Sequence, residues 1–307
     1  MAKRKIKKSV VKKFTLTLIF FILAITLFSC TGRFIGIQRR LSRIGYEDIE
    51  FILNMDRDKI DIILSNDYNE HLPYILNQTY FIEEKLEEYL EASENHFNEY
   101  KDLISIVNTK NNIQHYEEIF ETDISKNELM LVNRFYKLNE HQTFDDLVPL
   151  TIHVAYEGNR LREVAAIAFE DLHSSAKDDG FNLAANGTYR SYADQAASYE
   201  RSRRNIGTRR TDEIIARAGH SEHQSGLSID IHILNRTTDN FDTTLEFQWL
   251  RDNAHKFGFI LRYPLEYEHI TGFNYEPWHY RYVGKEVATY IYENDITFDE
   301  YYAFYLN

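Results

Sequence analysis

The chain of 307 residues has one cysteine, Cys30, so no disulfide can form within it and the fold must rest on its core. It has only four prolines, which leaves domain boundaries to be read from changes of pattern rather than from breaks. Positive charge is scarce too: 35 Lys and Arg stand against 48 Asp and Glu, a net charge of -13. That balance disfavours nucleic acid as a general partner, because phosphate contacts need the opposite sign. What the chain does have is apolar material. Hydrophobic residues make up 43% and aromatics 14%, ample for a buried core and against disorder.

Charge is unevenly placed. "MAKRKIKKSVVKKF" holds seven Lys or Arg and no acid, and an unbroken apolar run, "FTLTLIFFILAITLFS", overlaps its end. A basic start followed by such a run is an export signal or membrane anchor, not part of the fold. Residues 1–30 are assigned to it. The run ends in "LFSCTG", which resembles a bacterial lipoprotein signal in which Cys30 is lipidated. Leu27 and Ser29 fit that pattern and Phe28 is a less usual neighbour. The alternative is an uncleaved anchor helix with an incidental cysteine. Either way the protein is expected outside the cell, tethered to the outer face of the membrane.

Residues 31–125 read as mostly helical and polar, with apolar residues spaced at three and four in "EDIEFILNMDRDKIDIIL" and "IEEKLEEYLEASENHFNEYKDLISIV". Residues 126–307 are mixed and form a separate domain. "LREVAAIAFEDLHSSAKDDG" predicts a helix with Leu161, Val164, Ala168 and Leu172 on one face and Gly180 as its cap. "FNLAANGTYR" reads as a strand, and "SYADQAASYERSRR" as a helix capped by Ser191. "GLSIDIHIL" alternates: Leu227, Ile229, Ile231 and Ile233 face one way, and Ser228, Asp230 and His232 the other. "TLEFQWLRDNAHKFG" and "GKEVATYIYEN" are helices, while "FILRY" and "WHYRYV" are strands. The class expected is α+β, a small mainly antiparallel sheet flanked by helices.

A catalytic zinc takes three protein ligands from His, Asp or Glu and keeps a fourth position open. Asp230 lies on the polar face of a strand whose other face is apolar. His223 precedes that strand across the bendable "QSG", and His279 falls in a second strand, sharing a face with Arg281 and Val283. Glu276 precedes a proline, in the loop entering that strand, where a carboxylate is free to overhang a metal and serve as general base. Spacing alone leaves His220 and His232 open as rival ligands.

Three stretches carry more. "GTYRSYADQ", "SEHQSGLSID" and "EPWHYRYVG", in that order along the chain, resemble signatures of the VanY-like D-alanyl-D-alanine carboxypeptidases, zinc peptidases that trim peptidoglycan stem peptides. The likeness spans roughly 126 to 290 and implies His223, Asp230 and His279 as zinc ligands. It further implies Glu276 as base and Arg190 as the cation facing the developing oxyanion or the substrate carbonyl. Ser221 and Gln195 match positions lining the substrate site, with local turn or cap roles as the alternative. Arg281 reads as a supporting residue, and Trp278, Tyr280 and Tyr282 as core. Thr188 stands where a glycine is more usual, and no ligand is lost. The implied activity is removal of a terminal D-alanine, by a D,D cut on the family's label, with an L,D cut as the alternative. A binding or interaction protein with a structural zinc is the other class to weigh. Six arginines, at 201, 203, 204, 209, 210 and 217, offer a positive rim beside the site or a solvated loop.

Overall fold

A computed structural model describes residues 33–95, 97–152, 158–234 and 240–306. The expected signal segment and Cys30 lie outside them. Among the described residues no helix is long and apolar enough to cross a membrane.

The chain divides into two compact units, residues 1–96 and 97–307. In the first, short helices such as Arg57–Ser65 and Leu86–Ser93 gather around Leu41, Ile52, Ile60, Ile63, Leu72 and Leu76. The division falls ahead of the change of pattern near 125. The reason is tertiary. Helix α1 (Tyr100–Asn108) continues the helical pattern of what precedes it, yet its Ser105 Oγ donates to Glu300 Oε1 at 2.6 Å, near the far end of the chain.

The second unit is built on a four-stranded antiparallel sheet of β1 (Leu183–Gly187), β2 (Ser228–Ile233), β3 (Phe259–Leu261) and β4 (His279–Tyr282), in the order β1-β2-β4-β3. Alternation along β2 sends Ile229 and Ile231 into the main core, where they meet Phe169 and Leu172, and leaves Ser228, Asp230 and His232 on the other face. Burying each such aliphatic side chain contributes roughly 1.5–3 kcal/mol, so the pleat is firmly pinned in this register.

Helix α2 (Glu163–Asp178) covers the apolar face, followed by Gly180 at φ +92°. It starts later than the sequence pattern predicts. Leu161 belongs to a short strand, Arg160–Arg162, paired with Leu147–Pro149, and the buried stripe is Ala165, Phe169, Leu172 and Ala176. Helix α3 (Tyr192–Ile206) begins where expected, with the Ser191 hydroxyl accepting from Asp194 N, and α4 (Thr208–Ile214) follows. Helices α5 (Leu245–Asn253), α6 (Lys285–Asn294) and α7 (Phe298–Tyr305) complete the unit.

Candidate active site

Strand register assembles the centre of the site. Asp230 on β2 is directly paired with His279 on β4, which places both side chains on the polar face. His223 arrives from a single turn of 3-10 helix, Glu222–Ser225, closed by Gly226 at φ +69°. Glycine takes that left-handed conformation without strain, and it lets the chain fold back before β2 begins. His279 Nδ1 lies 3.0 Å from Asp230 Oδ1, and His223 Nε2 lies 3.4 Å from Asp230 Oδ2. The three ligand atoms all fall within 4.8 Å of one another. Two imidazole nitrogens and a carboxylate at that separation form a donor set that fits zinc.

Each histidine is oriented from behind. His223 Nδ1 sits 2.7 Å from the Thr188 carbonyl, so its proton is held there and Nε2 faces the cluster. Gly187 lies beside Asp230 across a bulge in β1. A Cβ at Gly187 would stand 3.1 Å from Asp230 Cγ and closer still to its Oδ2, so any other residue there displaces the carboxylate. The rivals point elsewhere. His220 Nδ1 meets the Asn133 carbonyl at 2.8 Å, and His232 packs against Phe241 and Trp278.

Charge tunes the same atoms. Burial pulls His223 down to about 4, leaving it neutral at physiological pH. Burial raises Asp230, but the neighbouring His223 and His279 outweigh it and hold the carboxyl at about 2. For His279 burial acts downward, while hydrogen bonds to Asp230 and Glu222 carry it up to about 9. Glu276 behaves oppositely to a surface glutamate. Burial first, then the charges of Asp230 and Glu222, push it up to about 7.

Glu276 sits in a turn, its N–H donating to the Tyr263 carbonyl and its own carbonyl accepting from His279 N. Its Oε2 lies 3.9 Å from His279 Nδ1. Arg190, following β1, lines the same cleft, and its Nη1 donates to Gln195 Oε1 at 2.9 Å. Gln195 in turn donates to the Ala216 carbonyl at 2.6 Å, so the amide aligns Arg190 and both its ends are taken. Ser221 lines the cleft beside His223. The cleft encloses about 220 Å3, with Ile214, Ile215, Tyr263, Phe273 and Trp278 as its apolar wall. Tyr280 and Tyr282 are core, as the sequence indicates. Trp278 departs from that reading: it is half-buried and faces the cleft as well as the core.

The arginine-rich stretch is largely neutralised within itself. Arg203 and Arg204 pair with Glu200, Arg210 with Glu213, and Arg217 with Asp212. One residue beside the metal set escapes sequence reasoning. Glu222 is completely buried next to His223, and its Oε2 lies 3.3 Å from His279 Nε2. Its one sequence signal is an acid wedged inside the "SEHQSG" stretch; the arginines that hold it come from β4 and from just beyond β3.

Comparison with known proteins agrees with this geometry. Residues 158–285 match the family described as VanY, D-alanyl-D-alanine carboxypeptidase. The chain is 37% identical over 213 residues to the YodJ protein of Bacillus subtilis (strain 168), covering 64% of this chain and 78% of that protein. It is 29% identical over 235 residues to a D-alanyl-D-alanine carboxypeptidase of Enterococcus faecium, covering 74% of this chain and 72% of that one. Among solved structures it resembles the LdcB LD-carboxypeptidase, with 37% identity and a TM-score of 0.58 over 62% of this chain and 93% of the other. By sequence match, fold and donor set together, the chain belongs to the VanY family of D-alanyl-D-alanine carboxypeptidases and is a zinc metallopeptidase.

Proposed function

We propose that the protein removes the terminal D-alanine from peptidoglycan stem peptides, with His223, Asp230 and His279 holding the zinc and Glu276 as general base. One observation carries this reading: a half-buried carboxyl with its pKa pushed up to about 7 stands beside a three-donor set in an open cleft. A closed structural site needs a fourth protein donor, and among the described residues the cluster holds three. Zinc held by His223, Asp230 and His279 would supply Lewis acidity, lowering the pKa of a water and polarising a carbonyl. Glu276 takes the proton of the attacking water and delivers it to the leaving amine of D-alanine. Arg190, held by Gln195, donates to the carbonyl oxygen as negative charge grows on it. Ser221 and Trp278 border the bound peptide.

The likeness to the LdcB LD-carboxypeptidase favours the L,D cut, between an L-residue and the terminal D-alanine of a tetrapeptide stem. The Enterococcus faecium relative favours the D,D cut of a pentapeptide as the second reading. Full-length protein in detergent, given synthetic tetra- and pentapeptide stems, separates them. Chelator-sensitive D-alanine from the tetrapeptide alone is the expected outcome. Release from the pentapeptide alone establishes the D,D cut, and release from neither overturns the hydrolase reading.

The basic start, apolar run and Cys30 support export and a lipid tether at the outer face of the membrane. Mass spectrometry of the N-terminal peptide is expected to find a lipid on Cys30 with residues 1–29 removed; an intact Met1 would point to the anchor helix instead.

A further inference from the structure

We propose that Glu222 is the positioning residue for His279, and that a buried ion chain running to the C-terminal helix holds Glu222 in place. The inference rests on His279 being a zinc ligand, and the controls below test that separately.

The geometry is specific. Glu222 Oε1 accepts from Arg262 Nε and from Arg281 Nη1, both at 2.8 Å, which leaves Oε2 turned toward His279 Nε2. A carboxylate at Nε2 fixes the ring by the nitrogen that does not face Asp230, so Nδ1 is turned toward Asp230 and the cluster. The arginines are themselves fixed. Arg281 Nη2 donates to the carbonyls of Glu128 and Met130, and Arg262 Nη1 donates to Asp299 Oδ2. Asp299 Oδ1 accepts from Asn133 Nδ2 at 2.8 Å.

Asp299 sits in the first turn of α7, where a capping box between Thr297 and Glu300 locks the helix start. Asn133 and Asp299 both lie outside residues 158–285, the stretch that matches the family. Segments on either side of the matched region therefore reach in and brace a ligand within it.

Stability alone is a poor account of such a chain. Glu222, Arg262, Arg281 and Asp299 are 0–2% exposed, and buried ion pairs of this sort are often no more stable than apolar residues of equal volume. What apolar residues cannot do is hold an imidazole by its ring nitrogen.

The test is zinc affinity, by chelator competition on the full-length protein, with the visible spectrum of the cobalt-substituted form as a second readout. Glu222→Gln is expected to weaken zinc binding roughly 10- to 100-fold and to alter the cobalt bands, as loss of such a partner does elsewhere. Asp299→Asn, which leaves Glu222 present, shifts both readouts in the same direction by a smaller factor. Should Glu222→Gln fail to fold, Asp299→Asn decides alone. Folded variants with wild-type affinity and an unchanged cobalt spectrum overturn the proposal. His279→Ala is the control for the underlying reading: if it keeps wild-type zinc affinity, His279 is no ligand and it is the zinc site that has been misassigned.

Discussion

Glu276→Gln is expected to lower D-alanine release about 10^2- to 10^4-fold while leaving zinc content unchanged, the usual range for loss of a positioned general base. Glutamine has nearly the shape of glutamate and fills the same turn before Pro277, so backbone and ligands stay where they are. It cannot take a proton. The size of the loss follows from how the native group is tuned. Burial, reinforced by the Asp230 and Glu222 charges, brings Glu276 up to about 7, close to the pH at which the proposed base would both accept and return a proton. The same tuning separates a loss of chemistry from a loss of stability. A carboxyl whose folded pKa is raised makes the fold less stable as pH climbs from its ordinary value near 4.5 through about 7. Removing that charge should therefore raise the melting temperature of the metal-free variant at pH 8. A variant that lost activity and also melted lower would point to damaged packing; one that kept wild-type turnover would remove Glu276 from the chemistry.

Much of this site is legible in the sequence because the residues that make it sit on short, regular elements. Alternation in "GLSIDIHIL" is enough to put Asp230 on the polar face, and Gly226 signals the bend that returns His223. Spacing could not choose among His223, His220 and His232. That choice depends on which ring nitrogens face the cleft, and in the fold Asn133 occupies His220 while Phe241 and Trp278 flank His232. Residues whose role depends on distant partners stay hidden for the same reason. Glu222 acquires meaning only when Arg262, 40 positions away, and Arg281, 59 positions away, close around it. Trp278 reads as core by alternation with Tyr280, but it stands one residue before β4, where the turn after Glu276 swings it toward the cleft. The 96/97 division is invisible because α1 carries a helical pattern and nothing in that pattern says which core it joins.

Removing zinc should abolish activity, and restoring it should become easier as pH rises. In the metal-free site His223, at about 4, and Asp230, at about 2, are already in the forms that bind a cation at pH 7.5. His279 is not. Its carboxylate neighbours hold a proton on it up to about 9, and that proton must leave before Nδ1 can serve as a ligand. One proton displaced per zinc means that apparent affinity climbs about tenfold per pH unit between roughly 7.5 and 9, then levels. The stability argument runs the same way. A histidine with a raised folded pKa stabilises the metal-free protein fully below its ordinary value near 6.5, and that contribution is lost as pH rises through about 9. The melting temperatures of the zinc-loaded and metal-free forms should thus draw apart from pH 6.5 to 9. Calorimetric titration with zinc in two buffers of different ionisation heat counts the protons directly. A count near one at pH 8 assigns the displaced proton to His279, whereas a flat affinity with no proton release would mean that the Asp230–His279 contact is not where the metal enters.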